Sequence, residues 1–159
     1  MPYKWALICR NNCYKYALKK MGKNSNICDG VTIDYSHMVS LDDELFLAIC
    51  FQDNDKHIGN IKLGPINLIH KYAEISLFIG DKNEWGKGLA TEAIYTLTNY
   101  AFGTLKLHKL TAGCYANNIS SVKAFKKAGF FEDGIWKNQY LCNGEYVDRI
   151  CLAQIKNEV

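Results

Sequence analysis

The chain has 159 residues, of which 48% are hydrophobic and 22% are charged, with only two prolines. This length and composition suit one packed domain large enough for a sheet covered by helices, and they argue against disorder. The formal net charge of +3 comes from lysines and arginines spread along the sequence, so nucleic-acid binding is not indicated.

The cysteines and the N-terminal region bear on metal binding and location. Seven cysteines form no CxxC pair, which argues against both a zinc site and a disulfide framework. Reduced thiols of this kind are typical of cytoplasmic proteins. The apolar N-terminal tract, interrupted by Arg10 and Lys15, is too short for a signal peptide or a membrane span. We therefore predict a cytoplasmic protein with no metal and no membrane contact.

The pattern of the sequence changes near residue 45. Before this point, apolar residues at helical spacing predict a helix over 3–21, and alternating residues predict a strand over 31–39. After it, two strand patterns over 45–51 and 57–64 are separated by a polar turn, which predicts an antiparallel hairpin. The proline that follows ends this pair.

Strands and helices alternate in the second half of the chain. A predicted strand over 73–80 leads through a glycine-containing loop into a helix over 90–105. A strand over 108–116 and a helix over 120–130 that stops at Gly129 follow, and a closing hairpin turns at Asn143-Gly144. This order of elements predicts a mixed α/β fold.

The most informative segment is the loop between the strand and the first of these helices, Trp85-Gly86-Lys87-Gly88-Leu89-Ala90-Thr91. Exposed amides at a helix N-terminus attract phosphate, and glycines let a pyrophosphate approach the backbone. The kinase motif GxxxxGK[ST] is absent, and the dinucleotide motif GxGxxG fails because Thr91 stands at its third glycine. A kinase or a dehydrogenase is therefore disfavoured.

Two segments resemble the GNAT superfamily of acetyl-CoA-dependent N-acetyltransferases. Residues 83–88 resemble its Q/R-x-x-G-x-G/A signature, with Asn83 in place of the usual Gln or Arg, and residues 118–130 resemble the motif that follows. The resemblance covers about residues 45 to 155, whereas residues 1–44 diverge. It is closest to the branch that includes ribosomal-protein N-terminal acetyltransferases and polysaccharide amino-sugar acetyltransferases.

This resemblance implies a single GNAT domain over residues 1–159, with a central mixed, mostly antiparallel sheet and helices on both faces. It also implies acetyl-CoA as cosubstrate. The loop amides would bind the pyrophosphate, and the preceding strand would splay from its neighbour and bind the pantetheine arm. The implied coenzyme-binding residues are Leu77, Phe78, Ile79, Trp85, Gly86, Lys87, Gly88, Leu89, Ala90, Thr91, Asn118 and Ser121.

The reaction needs a group that removes a proton from the acceptor amine. Glu74, on the strand before the loop, is the predicted general base. If that strand is regular, Glu74 shares one face with Ser76 and Phe78. His70, just before the strand, is the second candidate because its imidazole titrates near neutral pH.

The reaction also benefits from a proton donor to the departing thiolate. Many family members carry a tyrosine for this purpose where this chain has Phe125, which cannot donate a proton. Ser121 is the first candidate for the missing hydrogen bond, and Ser120 and Tyr115 are alternatives. Cys114 is expected to be a small buried residue rather than a nucleophile.

The acceptor is predicted from resemblance alone. Residues 57–67 and 110–118 resemble acetyltransferases of polysaccharide gene clusters, which implies a nucleotide-linked amino sugar as acceptor. Its amine would attack directly in a ternary complex, without a covalent enzyme intermediate. A protein N-terminal acetyltransferase and a non-catalytic acetyl-CoA sensor remain open as alternatives.

The closing hairpin contains further candidate residues. Tyr146 and Asp148 are secondary candidates for the acceptor pocket, and Trp136 and Tyr140 lie where the branch closes its acceptor site. A homodimer is a further expectation, because an unpaired sheet edge invites strand addition.

Overall fold

The computed structural model describes residues 31–41, 44–51, 54 and 56–156. These residues form one seven-stranded sheet and two α-helices. The strands are β1 (Val31–Leu41), β2 (Glu44–Phe51), β3 (His57–Leu63), β4 (Tyr72–Ile79), β5 (Lys109–Tyr115), β6 (Phe131–Cys142) and β7 (Glu145–Ile155). The helices are α1 (Leu89–Gly103) and α2 (Ile119–Lys127), and a 3-10 helix (Lys82–Glu84) precedes α1. The helix predicted over 3–21 lies outside the described residues.

The strands follow the order β1-β2-β3-β4-β5-β7-β6. Neighbours are antiparallel except for β4 and β5, which α1 connects as a crossover between parallel strands. Both predicted hairpins are confirmed. At the closing hairpin Asn143 and Gly144 have φ of 52° and 85°, the left-handed values that a tight turn between strands requires.

The element boundaries differ from the predicted ones where glycine geometry intervenes. Helix α2 ends at Lys127, two residues before its predicted stop at Gly129, which adopts a left-handed φ of 99°. Strand β6 begins at Phe131, whereas the predicted hairpin strand began at residue 135. Helix α1 begins at Leu89, directly after left-handed Gly88.

The pairing of β4 with β5 is short. Only three residues of each strand pair, from Tyr72 opposite Lys109 to Glu74 opposite Thr111. Beyond Glu74 the two strands separate, while β4 stays paired with β3 as far as Ile79. The sheet therefore has an opening between the C-terminal halves of β4 and β5, as the resemblance implied.

Both helices pack on the same face of the sheet and contact each other. The apolar positions of α1 recur at helical spacing, so one stripe of the helix is buried. That stripe and the strand residues beneath it are fully or almost fully buried: Ala93, Ile94, Leu97, Ala101, Ala73, Ile75, Leu110 and Ala112. The opposite face carries no α-helix among the described residues, and the helix predicted over 3–21 is outside them. Neither α1 nor α2 has the length and apolar composition of a membrane span.

Candidate functional site

The opening exposes backbone groups of β4 on one edge. The Glu74 carbonyl and the Gly80 N–H both hydrogen-bond to the β3 side at 2.8 Å. Backbone groups alternate along a strand, so the even-numbered residues of β4 face β3. The N–H and carbonyl groups of Ile75 and Leu77 consequently face the opening, where the described part of the chain provides no partner strand.

The residues predicted to contact pantetheine, Leu77, Phe78 and Ile79, differ in the direction of their backbone groups. Leu77 directs its backbone into the opening, whereas the backbone of Phe78 faces β3 and its side chain is exposed on the open face. The Ile79 carbonyl accepts a hydrogen bond of 2.9 Å from the indole Nε1 of Trp85. Ile75 was missed by sequence reasoning, because only the pairing with β3 reveals which edge of β4 is free.

The glycine loop ends at a helix N-terminus, as predicted. Gly86 and Gly88 adopt left-handed φ values of 78° and 87°. Gly88 is the N-cap of α1 and provides no side-chain cap, and the first intrahelical bond runs from the Glu92 N–H to the Gly88 carbonyl at 3.1 Å. The N–H groups of residues 89–91 precede that bond and point out of the helix end. They form a site suited to an anion.

Side chains next to the loop hold it in place. Trp85 anchors it to the end of β4 through the bond to Ile79, and Lys87 Nζ pairs with Glu84 at 2.8 Å. At the start of the same connection, Lys56 Nζ lies 2.9 Å from Asp81, and this hydrogen bond lowers the pKa of the Asp81 carboxyl. Both Trp85 and Lys87 remain more than half exposed, so these contacts leave much of each side chain accessible.

The N-terminus of α2 lies on the helix-covered side of β5. Asn118 is its N-cap, and its Oδ1 accepts a 3.2 Å hydrogen bond from the Ser121 N–H. The Ser121 hydroxyl lies 3.3 Å from the thiol of buried Cys114. Burial raises the pKa of the Cys114 thiol, which keeps it neutral and argues against a nucleophile. Phe125 is buried, with its ring edge-on to Phe130.

An ion pair occupies the open face of the sheet. Arg149 Nη2 donates to both carboxylate oxygens of Glu74, each at 3.0 Å. The guanidinium also lies over the Trp136 ring, 4.7 Å from its centroid. To reach Glu74 from β7, Arg149 crosses β5 at Gly113, where a Cβ would overlap the guanidinium. Sequence reasoning missed Arg149, and a glycine inside a predicted strand was its only indication.

Two tyrosines lie beside this ion pair. The rings of Tyr115 and Tyr140 are 4.4 Å apart between centroids. Burial raises the pKa of Tyr140, so its hydroxyl stays protonated at neutral pH. Arg149 and Glu74 are both near enough to influence that pKa. Trp136 and Tyr140, which lie where the family branch closes its acceptor site, thus join Glu74 and Tyr115 on one surface, which we call the open-face cluster.

The structure brings the three predicted catalytic residues to the opening from two sides. The side chains of β5 alternate in burial, with Cys114 turned to the helices and Gly113 and Tyr115 to the open face. β4 pairs with β3 without a register shift from Ile75 onward, which supports the predicted shared face of Glu74, Ser76 and Phe78. Glu74 and Tyr115 therefore share the open face, and Ser121 lies on the opposite face.

The remaining candidates have other surroundings. His70 lies in an exposed turn before β4. Asp148 binds Lys137 Nζ at 2.8 Å and the Asn138 N–H at 2.9 Å, and this hydrogen bonding lowers the pKa of its carboxyl. Tyr146 is 68% exposed. Across the described ranges, no group of three or more acidic, histidine or cysteine side chains is arranged to hold a metal ion.

The sequence matches the family model of the acetyltransferase (GNAT) domain over residues 21–131. The chain therefore belongs to the GNAT acetyltransferase family. It is 35% identical to the probable N-acetyltransferase YjcK of Bacillus subtilis (strain 168), over 76% of this chain and 66% of YjcK. It is 34% identical to the spermidine N(1)-acetyltransferase of Vibrio cholerae serotype O1, over 62% of this chain and 58% of that protein.

A solved structure supports the same assignment of fold. The spermidine N-acetyltransferase from Vibrio cholerae in complex with CoA and spermine superposes with a TM-score of 0.67 and 28% identity, over 72% of this chain and 66% of that one. The chain thus spans 58% to 66% of the length of these relatives. The GNAT family and fold are confirmed, whereas the narrower branch predicted from the sequence is not.

Proposed function

We propose that this chain is an acetyl-CoA-dependent N-acetyltransferase that acts on a primary amine by direct attack in a ternary complex. One observation carries the proposal: the β4–β5 opening, with the free backbone groups of Ile75 and Leu77, adjoins the uncapped N-terminus of α1. A long ligand with an anionic end and an amide-containing arm fits both features. When bound, acetyl-CoA supplies the acetyl thioester.

The residues that would hold the coenzyme follow from this geometry. The amides of Gly86, Lys87 and Gly88 and of residues 89–91 are suited to the pyrophosphate. Ile75 and Leu77 present their backbone groups to the arm, and one of their amides would donate to the thioester carbonyl oxygen. A fixed donor to an oxygen on which negative charge develops is worth about 3 kcal/mol.

Glu74 is proposed to take the proton of the acceptor amine. Its side chain is 40% exposed, so carboxylate lone pairs that Arg149 leaves free are accessible to the amine or to a bridging water. Ser121, on the other face of β5, is proposed to donate a hydrogen bond to the departing sulfur, and Tyr115 is the alternative. This division lets the amine approach from one face while the thiolate departs toward the other.

The open-face cluster and the relatives each support a chemical class for the acceptor. The aromatic open-face cluster of Trp136, Tyr115 and Tyr140 suits a sugar ring, which supports the predicted nucleotide-linked amino sugar. A polyamine is the second candidate, favoured by the similarity to a spermidine N(1)-acetyltransferase. A protein N-terminus remains a third. The cytoplasmic location and the homodimer stay predictions from the sequence.

The decisive experiment offers all three acceptor classes together. Purified protein is incubated with acetyl-CoA and nucleotide-linked amino sugars, short peptides with Ser or Ala N-termini, or polyamines. Mass spectrometry detects the products, because seven cysteines would react with a thiol dye. An acetylated product establishes the enzyme and its acceptor class. Acetyl-CoA binding without any product would favour the sensor, and absence of binding would contradict the proposal.

A further inference from the structure

We propose that Arg149 determines acceptor specificity by disfavouring polycations, so that the preferred acceptor carries a single ammonium group. The inference rests on the proposed function, because it places the acceptor amine at Glu74. It concerns a residue that no motif in the sequence identified.

The positive charge of Arg149 is fixed in position. Its side chain is 14% exposed, and Nη2 contacts both Glu74 oxygens at 3.0 Å. The guanidinium also packs over Trp136, which favours a cation at this place. The charge cannot move into solvent unless both contacts break. An acceptor at Glu74 therefore meets a stationary cation.

Gly113 makes this arrangement sterically allowed. A Cβ at that position would overlap the Nε, Cζ and Nη2 atoms of Arg149. Any other residue at position 113 would displace the guanidinium from its path across β5. The inferred role therefore depends on two positions on adjacent strands, Gly113 and Arg149.

The charge balance of the surrounding strands argues against a polyamine. Glu74 is neutralised by Arg149, so an ammonium group approaches a pair with no net charge. Three of the four acids on β6 and β7 have basic partners: Asp148 with Lys137 at 2.8 Å, Asp133 with Lys109 at 2.6 Å, and Glu132 with Lys126 at 2.7 Å. The fourth, Glu145, lies at the hairpin turn, at the start of β7. A polyamine keeps further charges after one amine is deprotonated, and Arg149 would repel them.

The experiment compares two amines that differ in charge. Spermidine and n-butylamine are titrated calorimetrically into the full chain and into its Arg149→Gln and Arg149→Lys variants. Glutamine removes the charge and keeps a donor to Glu74, whereas lysine keeps the charge. We expect Arg149→Gln to bind spermidine about tenfold more tightly, the effect of removing one nearby like charge. n-Butylamine is also a cation but carries one charge, so its binding should strengthen less, by about threefold, and Arg149→Lys should resemble the parent protein. An equal gain for both amines would contradict the inference.

Two further variants serve as controls for this experiment. Gly113→Ala displaces the guanidinium without removing it and should also strengthen spermidine binding, so it replaces Arg149→Gln if that variant does not fold. Adding Glu74→Gln to Arg149→Gln should reduce the gain for both amines, since the freed carboxylate attracts one ammonium group of each. Unchanged or weaker spermidine binding in folded Arg149→Gln and Gly113→Ala would overturn the inference. These titrations need no turnover, so a failure of the proposed enzymatic function would be recognised separately, in the product assay.

Discussion

Glu74 is the ion-pair partner of Arg149 and the proposed proton acceptor. The two roles are compatible because one nitrogen of Arg149 bonds both carboxylate oxygens and leaves their remaining lone pairs accessible. The ion pair also holds the carboxylate in one position, and a fixed base is more effective than a mobile one.

Glu74→Gln removes the base and retains an oxygen that accepts from Arg149. We expect kcat to fall about 100-fold, the lower end of the usual contribution of a general base. The affinity for acetyl-CoA should stay within about twofold, because Glu74 is outside the proposed pyrophosphate and arm contacts. Steady-state kinetics and calorimetry measure the two quantities. The control is Glu132→Gln, in an exposed pair with Lys126. Normal kcat in Glu74→Gln would move the role to His70.

Cys114 gives a prediction for stability against pH. Burial raises the pKa of its thiol above the ordinary value of 9.0, so the folded state favours the protonated form. This contribution is present below about pH 9 and is lost as the pH rises through the folded pKa. From about pH 8 to 10.5, the free energy of unfolding should therefore fall more steeply for the parent protein than for Cys114→Ala.

Urea denaturation at several pH values measures this difference between the two proteins. Other ionisable groups contribute equally to both, so they cancel. Turnover of Cys114→Ala near neutral pH should be retained. Parallel pH curves would show that burial does not alter the thiol, and loss of turnover in a folded variant would restore Cys114 as a catalytic candidate.

At the scale of elements, the loop before α1 depends on left-handed glycines. Gly88→Ala introduces strain of about 1 kcal/mol at φ 87°, and relief of that strain would turn the following amides away. We expect acetyl-CoA to bind at least about tenfold more weakly, measured by calorimetry. Gly103→Ala, in the last turn of α1 with open space for a Cβ, is the matched control. It should bind normally, and equal affinity in both variants would place the pyrophosphate elsewhere.

The two edges of strand β4 should differ in amide hydrogen exchange when the coenzyme binds. The Leu77 amide faces the opening, whereas the Phe78 amide faces β3. Acetyl-CoA should therefore slow hydrogen exchange at Leu77 much more than at Phe78, as followed by NMR. Slow exchange at Leu77 without ligand would mean that another segment already covers this edge. Unchanged exchange with ligand would contradict the proposed position of the arm.

At the scale of the whole molecule, the junction between β4 and β5 is the narrowest part of the sheet. Three residue pairs, the Arg149–Glu74 ion pair and the packing of α1 and α2 join the two sides. Because one continuous core spans this junction, we predict that the chain unfolds in a single step, as one domain.

Urea unfolding followed by circular dichroism and by tryptophan fluorescence tests this prediction. The two transitions should coincide, and acetyl-CoA at about 100 times its Kd should raise the free energy of unfolding by roughly 2.7 kcal/mol. Two separate transitions would show that the strands on either side of the opening form independent units.

Local sequence patterns were enough to predict the order of the described elements, the mixed α/β class and the glycine loop before α1. These features depend on local spacing: alternation in the strands, helical periodicity in α1, and glycines where left-handed backbone is required. Asn118 illustrates the same rule, since its position before a predicted helix already indicated an N-cap. Boundaries were less well predicted: β6 begins at Phe131, four residues before the predicted strand, and β1 extends to Leu41, two residues beyond it.

The assembly of the candidate site depends on the tertiary fold. The structure shows that Ile75 and Leu77 share the free edge of β4, that Ser121 and Tyr115 lie on opposite faces of β5, and that Arg149 holds Glu74. The last contact joins residues 75 positions apart across an intervening strand. Local patterns carry no information about strand order or register, and both are set by how the whole sheet buries its apolar face.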